Sequence, residues 1–219
     1  MKRLSIIIFA FVLCSGATVL ATPSIEFSPG GSSSGGWNYD GAGTLSFDQY
    51  IAVDSGMAGN ADALVGASVF IPTLTVGEGP IGTFEVKPLG SSVLTVRSED
   101  FSTIYLKATL NRGDLVPIGT VGGLYTSFTS DLTDVVVTDE GKALGSAVLA
   151  AIANSGLTTL DFELSLQGGS GTNYHSIREM LDGGFTGGNG FSGAMTIPEP
   201  TTIALLAFGS LAVWRKRKG

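Results

Sequence analysis

The sequence predicts an all-β domain, either an antiparallel β-sandwich or a jelly roll, with one short helix packed against it. Several stretches of the chain alternate apolar and polar residues with a period of two, and clusters of Gly, Pro and Asn separate them. One later stretch has helical spacing instead. Period-two alternation is typical of strands with one buried face, and many short strands divided by turns favour these two architectures.

The alternating stretches give the predicted strands in chain order. The clearest examples place apolar side chains on one face and polar side chains on the other: residues 45–53, 84–87, 104–110 and 160–167. Weaker candidates are residues 64–76, 92–96, 134–138 and 191–196. Turn-forming residues lie between them, at 77–80, 111–114 and 122–123. The pattern predicts half-buried strands that run antiparallel.

One helix interrupts the strands near the middle of the second half of the chain. Asp139 is placed to cap its start, and Gly156 is placed to end it. Leu144, Val148 and Ile152 recur at helical spacing and share one face. We expect this helix to pack over one end of the sandwich.

The chain divides into four parts. Residues 22–43 are rich in Gly and Ser and predict a flexible lead-in, from which Trp37 and Tyr39 can still dock on the domain. The predicted folded domain covers residues 44–196. Its last strand runs directly into a C-terminal segment, residues 197–219, so little chain separates the two.

The N-terminus has the three parts of a secretory signal in the correct order. Basic residues at 2–3 precede an apolar run at 6–13, and a small-residue pattern ends at Ala21. We therefore expect residues 1–21 to direct export through the Sec-type machinery and to be cleaved after Ala21. The alternative, an uncleaved anchor helix, would need a longer apolar run.

The C-terminal segment combines a proline-flanked motif, an apolar run and a basic cluster. These are Pro198, Glu199 and Pro200; residues 201–214; and Arg215, Lys216, Arg217 and Lys218. As a helix, residues 203–214 would span about 18 Å of a hydrocarbon core of about 30 Å, so they predict a marginal membrane helix. The basic cluster would hold the chain end on the cytoplasmic side.

These elements, in this order, resemble the PEP-CTERM sorting signal of bacteria. The resemblance covers only the last 22 residues. It implies that an integral-membrane exosortase recognises the tail and cleaves near the motif, after transient anchoring in the inner membrane. It also implies a final location at the outer surface or in the extracellular matrix of a Gram-negative bacterium that makes exopolysaccharide. An ordinary tail anchor is the alternative.

The charge of the central part excludes one class of partner. The terminal segments hold six of the twelve basic residues and one of the nineteen acids, which leaves a net charge of −12 in between. Nucleic-acid binding needs clustered Lys and Arg, so we expect no nucleic-acid partner. The single cysteine, Cys14, lies in the signal, so the mature chain can form no disulfide.

The sequence contains no convincing catalytic set. His175 is the only histidine, no Gly-x-Ser-x-Gly turn is present, and a histidine zinc site is excluded. A glycosidase pair could be drawn from Glu85, Asp161 and Glu163, but among eighteen acids some pairing is expected by chance, and a solvated strand face explains Asp161 and Glu163 well. The acids between Asp131 and Glu140 could bind calcium, although their spacing is not that of an EF-hand.

Aromatic residues give one further hypothesis, a platform on which sugar rings could stack. The candidates are Trp37, Tyr39, Tyr50, Tyr105 and Tyr125. Tyr105 is the most interesting because the alternation of its strand places it on the polar face; cross-strand packing is the plainer explanation.

Together these observations predict an exported cell-surface or extracellular-matrix protein with a structural or adhesive role, associated with exopolysaccharide. We expect it not to be an enzyme and to use no cofactor or metal ion. Its expected partners are the exosortase, the export machinery and the membrane, which it would contact through residues 201–214. A carbohydrate-binding module is the alternative function, and a hydrolase of surface polymers is a third hypothesis.

Overall fold

The computed structural model describes residues 22–29, 36–80, 82–118, 125–167, 177–188 and 190–198. Within them the chain forms thirteen strands and three helices. In chain order these are β1 (Ser24–Pro29), β2 (Trp37–Tyr39), β3 (Thr44–Phe47), β4 (Ile51–Ser55), β5 (Ser68–Phe70), β6 (Leu74–Glu78), β7 (Phe84–Pro88), β8 (Val93–Arg97), β9 (Ile104–Leu110), β10 (Gly113–Ile118), β11 (Tyr125–Val137), α1 (Asp139–Ala143), α2 (Ala147–Ser155), β12 (Leu160–Gln167), α3 (Ile177–Gly183) and β13 (Phe191–Thr196).

Eight of the strands form a closed antiparallel barrel. Their order is β12-β13-β1-β4-β5-β8-β9-β11, and a pairing between β11 and β12 closes the ring. The other five strands extend from β11 in the order β10-β7-β6-β3-β2. All the strand pairs are antiparallel, which confirms the all-β antiparallel prediction. The sandwich or jelly roll is not confirmed, because hydrogen bonds join the two ends of the eight-stranded sheet.

The long strand β11 belongs to both the barrel and the extension. Its first half pairs with β10 and β12, and its second half pairs with β9. The register shifts between Thr133 and Val136, and Asp134 there has a φ of 50°. This irregularity has the character of a β-bulge, which bends a strand and increases its twist. Along this edge, β11 changes its partner from β10 of the extension to β9 of the barrel, while its first half also pairs with β12 on the other edge.

Aromatic side chains fill the barrel between β1, β11 and β12. The ring of Phe162 stacks on Phe27 at 6.1 Å between centroids and meets Phe128 edge-on at 6.0 Å. Phe27 lies opposite Gly193 of β13, where a Cβ would collide with the Phe27 ring. Glycine at this position therefore makes the room that the Phe27 ring occupies.

The period-two pattern located most of the strands. Residues 84–87, 104–110, 160–167 and 191–196 are confirmed as strands by β7, β9, β12 and β13. Residues 45–53 differ, since they form two strands in different parts of the sheet: β3 pairs with β2 and β6, and β4 pairs with β1 and β5. The exposed residues 48–50 separate the two strands, because one continuous strand would not leave three exposed residues in succession.

The Gly/Ser-rich stretch at 22–43, expected to be a flexible lead-in, contains two of the strands. β1 lies in the barrel wall between β13 and β4, with Ile25 and Phe27 fully buried. Trp37 and Tyr39 in β2 are also buried, so these two aromatic residues do dock on the domain. The prediction of a flexible lead-in was wrong because the glycines and serines at 28–36 dominate the average composition of this stretch. They conceal the short alternating pattern of β1.

The predicted helix at 139–156 is divided in two, and α3 is an additional helix. Gly145, at a φ of 77°, separates α1 from α2. Thr138, not Asp139, caps α1: its Oγ1 accepts a hydrogen bond from the Gly141 N–H at 3.1 Å. Asp139 instead lies in the first turn, where an acid is favoured by the helix dipole. Gly156 ends α2 in a left-handed conformation, as predicted.

A buried carboxylate joins α2 to the loop between β4 and β5. Asp62 in this loop is 5% exposed. Its Oδ2 accepts a hydrogen bond from the Val148 N–H at 3.1 Å, at the start of α2, and its Oδ1 accepts one from Leu64 N–H at 3.0 Å. Burial raises the pKa of Asp62, but hydrogen bonds from Ser146 and from backbone N–H groups outweigh it and hold the pKa below its ordinary value. Asp62 therefore supplies a helix cap from another part of the chain.

The terminal segments fall largely outside the described residues. This applies to the predicted signal at 1–21 with its cleavage site at Ala21, and to the chain from Glu199 onward with its apolar run and basic cluster. No helix in the described part of the chain has the length and hydropathy needed to cross a membrane.

Candidate functional site

β1 and β13 lie side by side, and they bring the first described residues of the chain next to the start of the C-terminal segment. β1 pairs with β13 in a register that places Ser24 opposite Thr196. One residue further, the Ile197 N–H donates a hydrogen bond to the Pro23 carbonyl oxygen at 3.2 Å, and Ile197 is buried. The predicted start of the mature chain, residue 22, therefore lies beside the point where the C-terminal segment leaves the barrel.

The strand that carries the C-terminal segment is held on both sides. β13 pairs with β1 over four residues and with β12 over six. Pro198 follows after only one residue, Ile197, and it cannot donate a ladder hydrogen bond. The ordered strand thus ends where the Pro-Glu-Pro motif begins, and the motif has no flexible spacer before it.

Acidic side chains form a band on the outer face of the sheet. The strand registers align one residue from each of six neighbouring strands in a lateral row: Glu85, Asp114, Thr129, Glu163, Ala194 and Glu26. Four of these six are acids. One basic residue balances the row in part, since Arg112 forms an ion pair with Glu85 at 3.3 Å. The row therefore concentrates four of the eighteen acids of the central part on one face.

A second pair of acids lies next to this row. Asp131 of β11 is directly opposite Asp161 of β12. Partial burial of the carboxyl group raises the pKa of Asp161, and the charge of Asp131 raises it further. Two shallow grooves of about 460 and 370 Å³ run along this face and share Glu163 and Ala194. Like charges on directly opposite residues destabilise a strand pair, so this arrangement is a local cost to folding.

The structure brings together only some of the predicted carboxylates. Asp161 and Glu163 lie two residues apart on the outer face of β12, and Glu85 lies at the far end of the row. The possible calcium ligands are dispersed: Asp134 accepts a hydrogen bond from Thr109, and Asp139 pairs with Lys142. Among the described residues, no group of three or more His, Cys, Asp or Glu side chains could hold a metal ion. His175 lies outside the described residues.

Among the described side chains, Trp37, Tyr39 and Tyr105 do not form the predicted aromatic platform. Trp37 and Tyr39 belong to the core, and the Trp37 Nε1–H donates a hydrogen bond to the Gln167 carbonyl oxygen at 2.9 Å. Tyr105 packs partly against the core. The Tyr125 side chain lies outside the described residues. Tyr50 is the exception, because 60% of it is exposed.

Tyr50 has a partner that the sequence did not reveal. Its ring meets the Phe101 ring edge-on, with 5.4 Å between the centroids. Phe101 lies in the loop between β8 and β9, about fifty residues further along the chain. No periodic pattern connects the two positions, so only the tertiary structure places them together.

Comparison with known proteins identifies the C-terminal segment. A family model described as PEP-CTERM protein-sorting motif matches residues 196–218, a range that includes Pro198, Glu199, Pro200 and the basic cluster. No curated protein and no solved structure gives a significant match. The motif implies an exported chain that an exosortase recognises and processes, with a membrane-associated C-terminus. Residues 196–218 of this chain are therefore a PEP-CTERM protein-sorting motif.

Proposed function

We propose that the chain is a non-enzymatic protein of the outer surface or extracellular matrix of a Gram-negative bacterium. Its role is structural or adhesive, in association with exopolysaccharide. The match of the sorting motif supports delivery to that location. The structural observation that carries the proposal is the attachment of the motif to β13, the strand hydrogen-bonded between the first strand and β12.

This attachment makes the barrel a suitable cargo for tail processing. Cleavage on the C-terminal side of Pro198 removes none of the hydrogen bonds that hold β13. Before cleavage, four residues separate Pro198 from residue 203 of the apolar run, a distance of at most about 18 Å for an extended chain. The domain therefore folds close to the membrane surface and stays intact when the tail is removed.

The acidic outer face suits a protein displayed in water among polymers. The charge of −12 in the central part keeps copies of the domain apart and prevents nonspecific association. An adhesive role then requires a local patch of different character, and the exposed Tyr50 with the half-buried Phe101 beside it is such a patch. It also favours the second candidate function, a carbohydrate-binding module.

The proposal is tested by intact-mass analysis of the native protein after separation of cytoplasm, inner membrane, outer envelope and medium. We expect loss of residues 1–21 and cleavage near the Pro-Glu-Pro motif, with the product in the outer envelope or medium. Replacing Pro198, Glu199 and Pro200 by alanine should leave an uncleaved chain in the inner membrane. The matched control, Thr201→Ala with Thr202→Ala, should be processed as the wild type is.

Two results contradict the proposal. An intact chain in the cytoplasm shows that the protein is not exported. Release of sugars from the host's exopolysaccharide by the purified protein, but not by a heat-denatured sample, shows that it is an enzyme. The structural role itself is measured by deleting the gene, which should reduce the amount of exopolysaccharide retained on washed cells.

A further inference from the structure

A small aromatic patch, formed by residues in or next to β4, β5 and β8, lies on the side of the barrel away from the acidic row. We call Tyr50, Phe70, Arg97 and Phe101 the aromatic patch. Tyr50 is 60% exposed and Phe70 is 38% exposed. In the barrel order, β5 and β8 lie opposite β12 and β13, which the acidic row crosses at Glu163 and Ala194. The two faces therefore present different chemistry to the surroundings.

The strand registers place the members of the patch next to one another. Ile51 is paired with Val69, so the same register, continued by one residue, places Tyr50 beside Phe70. The Arg97 guanidinium lies over the Phe70 ring at 5.0 Å from its centroid. Its Nε–H also donates a hydrogen bond to the Thr95 hydroxyl oxygen at 2.7 Å. The cation is therefore held in place against the face of the Phe70 ring.

A hydrogen-bonded loop presents Phe101 in an uncommon backbone conformation. Phe101 has a φ of 61°, a region that bulky residues rarely occupy. The Asp100 Oδ1 holds the loop by accepting hydrogen bonds from the Ser98 hydroxyl, the Ser102 N–H and the Ser102 hydroxyl. Strain of this kind is maintained where the surrounding structure over-determines it, and such positions cluster at functional sites. Here the result is an aromatic ring that meets the Tyr50 ring edge-on.

Polar groups adjoin the rings. The hydrogen bond from Ser98, together with those from Ser102, holds the pKa of the Asp100 carboxyl below its ordinary value, so this group is charged at neutral pH. Its Oδ1 accepts three hydrogen bonds from Ser98 and Ser102. A shallow depression beside Ser98, Glu99 and Asp100 is open to solvent. Acceptors for hydroxyl groups thus lie at the edge of the aromatic surface.

We propose that the aromatic patch binds a neutral polymer of pyranose sugars. The inference rests on the proposed surface function and names the site and ligand class for it. One face of a pyranose ring consists of C–H groups, which pack on an aromatic ring, while its equatorial hydroxyls point outward to hydrogen-bonding groups. Tyr50 and Phe101 provide the rings, and Asp100 and Glu99 provide acceptors. Ligand sites usually consist of an apolar surface with a small number of polar groups around it.

Charge and area distinguish this ligand from two competitors. A polymer of uronic acids would meet a domain of charge −12, and the one guanidinium in the patch is already engaged with Phe70 and Thr95. A second copy of the chain carries the same charge. Three partly exposed rings offer on the order of 250 Å², well below the roughly 800 Å² that each partner of a stable complex buries.

The test is affinity electrophoresis of the full-length chain in mild detergent, in native gels that contain a soluble glucan, a mannan or a galactan. We expect at least one of these polymers to retard the protein. Tyr50→Ala and Phe101→Gly should each weaken the apparent affinity by about fivefold, the effect of losing one aromatic contact. Phe185→Ala, which removes another exposed aromatic side chain, is the matched control and should not change it.

Phe101→Gly also separates binding from folding, because glycine adopts a φ of 61° without strain. Its thermal unfolding should match or exceed that of the wild type while its retardation weakens. The inference is overturned if none of the three polymers retards the protein, if only a uronic-acid polymer does, or if both variants bind as the wild type does. It is also overturned if the wild type dimerises and Tyr50→Ala does not, since a second copy then covers the patch. Export and tail cleavage of Tyr50→Ala should be normal. A failure of the sorting proposal is therefore distinguishable from a failure of the sugar-binding proposal.

Discussion

Replacing Asp62 tests whether the loop between β4 and β5 and the helix α2 are held together by a single carboxylate. In Asp62→Ala, the N–H groups of Val148 and Leu64 lose their acceptors in a buried position. A hydrogen bond to a charged group contributes about 1.5–3 kcal/mol, and water entering the site recovers part of the loss. We therefore expect the free energy of unfolding to fall by about 3 kcal/mol. For a chain of this size the melting temperature should fall by about 6–12 °C.

Thermal and urea unfolding, followed by circular dichroism, measure this change. Asp62→Asn keeps one acceptor oxygen and should lose about half as much stability. The matched control is Asp54→Ala, an exposed acid of β4 close to the same loop, which should change stability by less than about 0.5 kcal/mol. A loss below about 1 kcal/mol in Asp62→Ala would refute the reasoning, because the two hydrogen bonds would then contribute almost nothing.

The pH dependence gives an independent check with a definite sign. The folded state lowers the pKa of Asp62 below its ordinary value of 3.8, so folding favours the charged form. The stabilisation is complete above the unfolded pKa and is lost as the pH falls through the lower folded pKa. Wild-type stability should therefore decline more steeply than that of Asp62→Ala below about pH 4, and the two curves should converge. If the stabilities of the wild type and Asp62→Ala instead fall in parallel below about pH 4, the lowered pKa of Asp62 is contradicted.

Three further changes have expected outcomes that follow from single contacts. Asp161→Asn should raise the melting temperature at neutral pH and low salt, because the pKa of Asp161 is raised by burial and by Asp131; the gain should vanish in acid, where both forms are neutral. Gly193→Ala should lower the free energy of unfolding by about 1–3 kcal/mol, since the added methyl group collides with the Phe27 ring. Thr126→Val should raise it by about 1 kcal/mol, because this fully buried hydroxyl has no hydrogen-bond partner in the described part of the chain. Urea unfolding measures the last two, and changes of opposite sign would contradict them.

The period-two pattern predicts strands well where one face is buried and the other is solvated. β9 and β12 have this environment, and both were located from alternation alone. β11 was recognised only at its C-terminal end, because its first half places Thr126 on the buried face and the bulge at Asp134 interrupts the alternation. Closure of the barrel depends on pairing between strands, which a pattern within each strand does not encode.

Candidate sites, like strands, were predicted well only where the signal is local in the sequence. The sorting motif was found because all its elements are contiguous in the sequence and need no tertiary structure to be recognised. The prediction of an aromatic platform was wrong for Trp37, because its indole N–H donates a hydrogen bond to the carbonyl oxygen of Gln167, about 130 residues away in the sequence. Asp62 was missed for a similar reason, since an isolated acid in a loop gives no sign that it caps a distant helix.

The pairing of β1 with β13 has a consequence for the order of assembly. Any process that delivers the chain with its N-terminus first, whether a ribosome or a translocation pore, releases β1 at the beginning and β13 at the end. Until β13 emerges, β1 and β12 each have an open edge, and exposed edges invite pairing with other chains. Ring closure must therefore wait for nearly the whole chain, and such non-local pairing is slow. The risk of aggregation is concentrated in this interval, and it ends when the last strand inserts.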